Sequence, residues 1–232
     1  MRYLTRSPLR KIAFLLAIII CSTATAALAQ NRPGKSDINF LYAFGAHVRP
    51  QGSGKVVPVQ NETTLQAGDR LKLFFEPKSD LNFYLLHMSS QGELTLLYPV
   101  EAKPAGIAPG IQVFIPAGNQ WFELDAHPGQ EKFFLIAAAD RLERLEELCA
   151  RHAASQDAAD LQSSAAAILD EIKRLRQQYR QLTAPAEKPV RIGGSVRGQQ
   201  PPGAATVPDI TPLAAEVTAP GFYSRTFSID HR

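Results

Sequence analysis

Histidine stands at positions 47, 87, 127, 152 and 231 of the chain, at no spacing that builds a metal site, and neither H-E-x-x-H nor C-x-x-C occurs. Asp230-His231 is the one acid–imidazole pair adjacent in sequence. Neighbours on a strand point to opposite faces, so the two cannot form a dyad directly. Cys149 has His152 three residues on, one helical turn away, as its only nearby base. No G-x-S-x-G elbow is present. Gly52-Ser53-Gly54-Lys55 has the flavour of a phosphate loop, but Arg49 stands where the first glycine is needed and Val56 follows the lysine. It reads as a turn. No catalytic residue, metal ligand or cofactor-binding residue is therefore assigned. His87, on an apolar stretch, reads as a core histidine.

Binding chemistry has more to work with. Tyr84, Tyr98 and Trp121, with Phe122, are aromatics that could line a sugar- or peptide-binding face, or else fill a core. Leu161, Ala165, Ile168, Ile172, Leu175, Tyr179 and Leu182 recur at steps of 4, 3, 4, 3, 4 and 3, the seam of a coiled coil. Ile168, Ile172, Leu175, Tyr179 and Leu182 thus offer either a surface for a partner or second copy, or the buried side of a hairpin packed on itself or on a sheet. Asp170 and Arg174 stand one turn apart for an exposed ion pair, and Lys173, Arg174, Arg176 and Arg180 read as a solvated basic face.

The elements that must position these residues are mostly strands. Leu71, Leu73 and Phe75 alternate with Lys72 and Glu76, and Leu94, Leu96 and Tyr98 repeat the alternation. Between them Leu81–Met88 is apolar on both faces, as a covered strand should be. Turns at Pro77-Lys78-Ser79-Asp80 and Ser89-Ser90-Gln91-Gly92 predict three strands hydrogen-bonded side by side. Further strands are expected from Ile38 to Phe44, at an edge over 55–60 where Pro58 argues against a central place, and over 111–115, 121–125 and 131–137. Asp140-Arg141-Leu142-Glu143 has the pattern of a capping box opening a helix. A break at Ser155-Gln156-Asp157 precedes the longer helix. Residues 183–221 carry seven prolines and read as a disordered linker. Beyond it 222–232 alternates, with Tyr223, Phe227 and Ile229 on one face, and is expected to return to an edge of the sheet.

The predicted fold is mainly β: an antiparallel sandwich-like domain over 38–139, an inserted α-helical hairpin over 140–182, and a Pro/Gly-rich linker before a C-terminal strand. The first 29 residues read differently. Arg2, Arg6, Arg10 and Lys11 precede a short apolar core, Ile12–Ile20, and Ala27-Leu28-Ala29 supplies small residues for cleavage. This is the pattern of an export signal, leaving no stable membrane anchor and a periplasmic or secreted protein. Loss of those four cations takes the formal charge from +3 to −1, which removes any whole-chain electrostatic reason to bind nucleic acid. Cys149 is then the sole thiol, so the fold must rest on its core rather than on an internal disulfide.

Leu65 to Pro77 reads L-x-x-G-D-x-L-x-L-x-F-x-P, followed by Gln91-Gly92-Glu93-Leu94, Leu97-Tyr98-Pro99, Gly129 to Phe134 and the closing Arg225 to His231. In order and spacing these segments resemble the bacterial domain-of-unknown-function family numbered 4384, over roughly Phe40 to Ala139 plus the final strand. The resemblance implies an exported domain, found alone or joined to peptidase or kinase domains, with no catalytic residues to carry over. The expected role is an interaction module for an envelope protein or peptide. A carbohydrate-binding module, or a hydrolase with an unrecognised site, is the alternative.

Overall fold

A computed structural model describes residues 37–48, 54–100, 105–180, 186–189 and 208–232. The predicted export signal, Leu182 and most of the predicted linker lie outside them. Among the described residues, two sheets enclose a core built from the alternating faces seen in the sequence. The first sheet runs β11 (Ala186–Pro189), β12 (Ala215–Pro220), β1 (Asp37–Val48), β4 (Arg70–Pro77), β8 (Val113–Ile115), with β2 (Lys55–Pro58) on β1 and β9 (Phe122–Glu123) on β4. The second runs β3 (Thr63–Leu65), β13 (Phe222–His231), β10 (Gly129–Ala138), β5 (Leu81–Met88), β6 (Leu94–Tyr98), with β7 (Gly106–Ile107) on β5. All pairings are antiparallel except that of β3 with β13.

Phe40, Phe44, Leu73 and Phe75 face Phe83, Leu85, Phe133 and Phe227 across the sandwich, all nearly or fully buried. The outer face of the second sheet is also apolar, and a helix pair covers it. Helix α1 (Glu143–Ala154) and helix α2 (Ala158–Tyr179) place Leu145, Leu148, Ile168, Ile172 and Leu175 on Tyr84, Leu86, Phe134 and Ile136. On the far side, the 3₁₀ turn Thr211–Leu213 lies over β1; a Cβ at Gly45 would fall 2.6 Å from Ile210, so only glycine admits that approach. No helix among the described residues is long and apolar enough to cross a membrane.

Several expectations need correction. β5 and β6 form the predicted hairpin, with Gly92 at φ +85° in its turn, but β4 does not lie beside β5. Pro77-Lys78-Ser79-Asp80 carries the chain from one sheet to the other, and Phe75 meets Phe83 through stacked rings with centroids 3.8 Å apart. The last strand does not sit at an edge: β13 pairs with β10 over ten residues and carries β3 on its other side. The predicted disordered linker contains β11 and β12; β12 forms because Ala215, Val217 and Ala219 alternate with Glu216 and Thr218, and Val217 and Ala219 are buried in the core. Helix α1 starts three residues after the expected Asp140 cap. The Tyr84 hydroxyl accepts the Leu142 amide at 3.2 Å, and the buried Leu142 side chain holds the chain there. α2 does have its cap at Asp157, whose carboxylate accepts the amides of Ala159 and Asp160.

Candidate functional site

The helix pair leaves the end of the second sheet partly uncovered. Beside β6 there is a groove of about 430 Å³, floored by Leu86, Leu94 and Leu96 and walled by Ala153, Leu161 and Ile168. It is apolar because Leu86, Leu94 and Leu96 belong to the same cluster as the helix side chains that pack on this face. β6 ends its sheet. Its backbone alternates: Ser89 donates to the Glu93 carbonyl at 2.9 Å, so Thr95 turns its polar backbone groups toward β5 and Leu94 and Leu96 turn theirs outward. The Leu94 carbonyl shows this directly, accepting His152 Nε2 of α1 at 2.8 Å. That bond requires the hydrogen on Nε2, and Nδ1 lies 2.6 Å from Ser164 Oγ. Both ring nitrogens are engaged.

His152 is therefore no base for Cys149. The thiol is buried, and burial with help from the Glu146 charge pushes it up to about 12, far from the thiolate range. A second, polar cleft of about 360 Å³ lies near the β5–β6 turn. There His87 Nε2 meets Glu131 Oε2 at 2.7 Å, and the Ser90 amide donates to the other carboxylate oxygen at 3.0 Å. His127 holds the nearby Asp125 carboxyl below its ordinary range through its amide and ring. Among the described residues no hydroxyl is bonded to the His87 ring, and no three metal-ligating side chains cluster.

The residues singled out from the sequence are dispersed. Ile168, Ile172 and Leu175 are buried on the chain's own sheet, Tyr179 stacks on Phe222 at 4.4 Å, and Leu182 lies outside the described residues. From Ile168 to Leu175 the seam is covered from within, while Leu161 at its start borders the groove. Tyr84 is 1% exposed beneath α1, where its hydroxyl donates to Glu146 at 2.7 Å. Tyr98 is half-buried against Phe83, and Trp121 sits on the outer face of the other sheet with Lys72 Nζ 5.5 Å from its ring. The three aromatics share no face. Arg176 reaches back to Ser224 and Thr226 of β13, and Arg174 pairs with Glu171 rather than Asp170. Glu131, Glu146 and the edge-capping role of His152 were missed, since only the fold brings their partners near.

Residues 64–141 match the family model described as Domain of unknown function (DUF4384). Neither a curated protein nor a solved structure matches the chain. The DUF4384 segment supplies β4 to β10, including the β5–β6 hairpin and the floor of the groove. It stops before α1, so the groove's helical wall lies outside it. It also excludes β1 and β13, the twelve- and ten-residue strands that pair with β4 and β10 respectively.

Proposed function

We propose that the protein is an exported interaction module of the cell envelope, which takes up an extended peptide along β6 with an apolar side chain in the adjoining groove. The observation that carries this reading is the coincidence of an apolar groove with an outer strand whose Leu96 backbone groups face away from its sheet. Strand addition uses those two features together: main-chain bonds supply affinity and a pocket for alternate side chains supplies selectivity. The groove's one imidazole has both nitrogens engaged, which favours binding over chemistry. Export rests on the basic, then apolar, then small-residue pattern of the first 29 residues. The separation of Tyr84, Tyr98 and Trp121 removes the platform a glycan site would need.

The test is a panel of labelled extended heptapeptides that differ only at the central residue, read by fluorescence polarisation. Leucine and phenylalanine peptides should bind in preference to lysine and aspartate ones. N-methylation at alternate residues should abolish binding in one parity and spare it in the other. Leu161→Glu, on the groove wall, should remove binding. A panel with no binder, or a binder indifferent to Leu161→Glu, overturns the proposal. A fusion of residues 1–35 to a reporter that folds only outside the cytoplasm tests export.

A further inference from the structure

Away from the groove, four polar groups converge at the side of the sandwich where β12 and β13 face each other. Tyr42 of β1 and Tyr223 of β13 are 4% and 5% exposed, with ring centroids 6.4 Å apart across the gap between the sheets. Arg225, two residues along β13 on the same face, lays its guanidinium 4.8 Å from the Phe227 ring and donates to the Tyr42 hydroxyl at 2.5 Å. Into this setting comes Glu187 of β11. Its Oε1 accepts from Tyr42 at 2.5 Å and from Arg225, and its Oε2 accepts from Tyr223 at 3.4 Å. Burial, then the neighbouring Tyr223, raise the Tyr42 hydroxyl, so it stays a donor across the accessible pH range. Burial opposes the charge on Arg225, but the Tyr42 and Glu187 oxygens outweigh it and keep the guanidinium charged.

The donors are built and the acceptor is borrowed. Tyr42, Tyr223 and Arg225 stand on long strands in the middle of the fold, whereas β11 is four exposed residues held by backbone pairing to β12 and by this carboxylate's bonds to β1 and β13. Glu187 lies opposite Val217, which is fully buried, so strand pairing itself aims the carboxylate inward. We infer that Arg225 and the hydroxyls of Tyr42 and Tyr223 form a carboxylate-binding site. Glu187 fills it from within the chain, and its external ligand is an extended peptide that adds to β12 and presents a glutamate at the same register. A guanidinium with two hydroxyls aimed at one point recognises a carboxylate through charge-assisted bonds that an amide cannot replace. An inward charge on an outer strand also discourages unwanted pairing, and the experiment separates that role from recognition.

The probe is the acetylated, amidated peptide spanning residues 184–190, with a counterpart carrying glutamine at 187. The full chain with Ala186–Pro189 replaced by Gly-Ser-Gly-Ser should bind the glutamate peptide about tenfold more tightly than the glutamine one. Adding Arg225→Gln to that chain should erase the preference. Should the replaced chain fail to fold, Glu187→Ala is tested with the same two peptides. Equal binding of both peptides overturns recognition and leaves Glu187 an edge-protecting charge. Binding of neither peptide to any folded variant overturns the site.

Discussion

Ile172→Ala separates a helix pair that belongs to this chain from one that waits for a partner. Ile172 is 2% exposed, in a cluster with Tyr84, Leu86, Phe134 and Ile136 of the second sheet. The substitution removes three carbons, each worth about 0.8 kcal/mol on burial, or roughly 2.4 kcal/mol of transfer free energy. A partly collapsed cavity adds to this, so the expected loss is ~3–4 kcal/mol, within the range for such truncations. Against a typical domain stability of about 5–15 kcal/mol this is a large fraction. Urea unfolding should show a lower midpoint at every protein concentration, with sedimentation unchanged. Lys173→Ala, one residue on and exposed, should cost under ~0.5 kcal/mol. If Ile172→Ala leaves the midpoint in place and instead shifts a concentration-dependent association, α2 packs on another chain and the assignment of its seam to the sheet is refuted.

Other consequences follow from the same geometry. Deleting 222–232 removes a central strand with Tyr223, Phe227 and Ile229, and should abolish cooperative unfolding altogether; a retained sharp transition would place β13 outside the core. Burial opposes the charge on Glu146, yet bonds from Arg141 and Tyr84 outweigh it and hold the carboxyl below its usual range. A depressed carboxyl contributes stability above the unfolded-state value and loses it as pH falls through the folded one. Glu146→Gln should therefore cost ~1–2 kcal/mol near pH 7 and flatten the acid limb of a stability–pH curve below about pH 5; parallel curves for the two proteins would contradict this. Cys149, pushed up to about 12, should react with a thiol-specific reagent at pH 8 roughly a thousandfold slower in the folded protein than in urea.

What the sequence could and could not say divides along physical lines. Alternation located β1, β4, β6 and β13, since period two records which face is buried wherever the strand ends up, and continuous apolar runs located β5 and β10. It is silent on which strand lies alongside. Leu71, Leu73 and Phe75 would alternate in the same way beside β5 or opposite it, and Pro77-Lys78-Ser79-Asp80 serves a crossing as readily as a hairpin. β12 was hidden by its surroundings: proline and glycine counts over 183–221 outweighed the plain alternation of Ala215, Val217 and Ala219. The α1 start was lost to a long-range contact, because the Tyr84 hydroxyl that receives the Leu142 amide lies 58 residues earlier. The seam of α2 was legible as apolar, but an apolar stripe does not state what covers it. The groove was less legible still, being the remainder of a sheet face after the helices have covered what they reach.

The outer strands differ in how their backbone groups are protected. An outer strand offers unpaired backbone groups, and proteins normally blunt it by shortness, proline or charge. Among the described strands, β3 and β8 are three residues each, and Pro116 directly follows β8. β11 ends in Pro189 and turns Glu187 inward. β6 is the longest of them: five residues, Leu94–Tyr98, with no proline and no charge among them although Pro99 directly follows, and one outward carbonyl stoppered by His152. It is also the outer strand that adjoins the apolar groove. The two features are liabilities separately, and their conjunction at one place is what an extended apolar peptide would require. The contrast with β11 sharpens the point, since there the chain supplies its own strand and its own carboxylate, whereas at β6 the described residues supply a single imidazole.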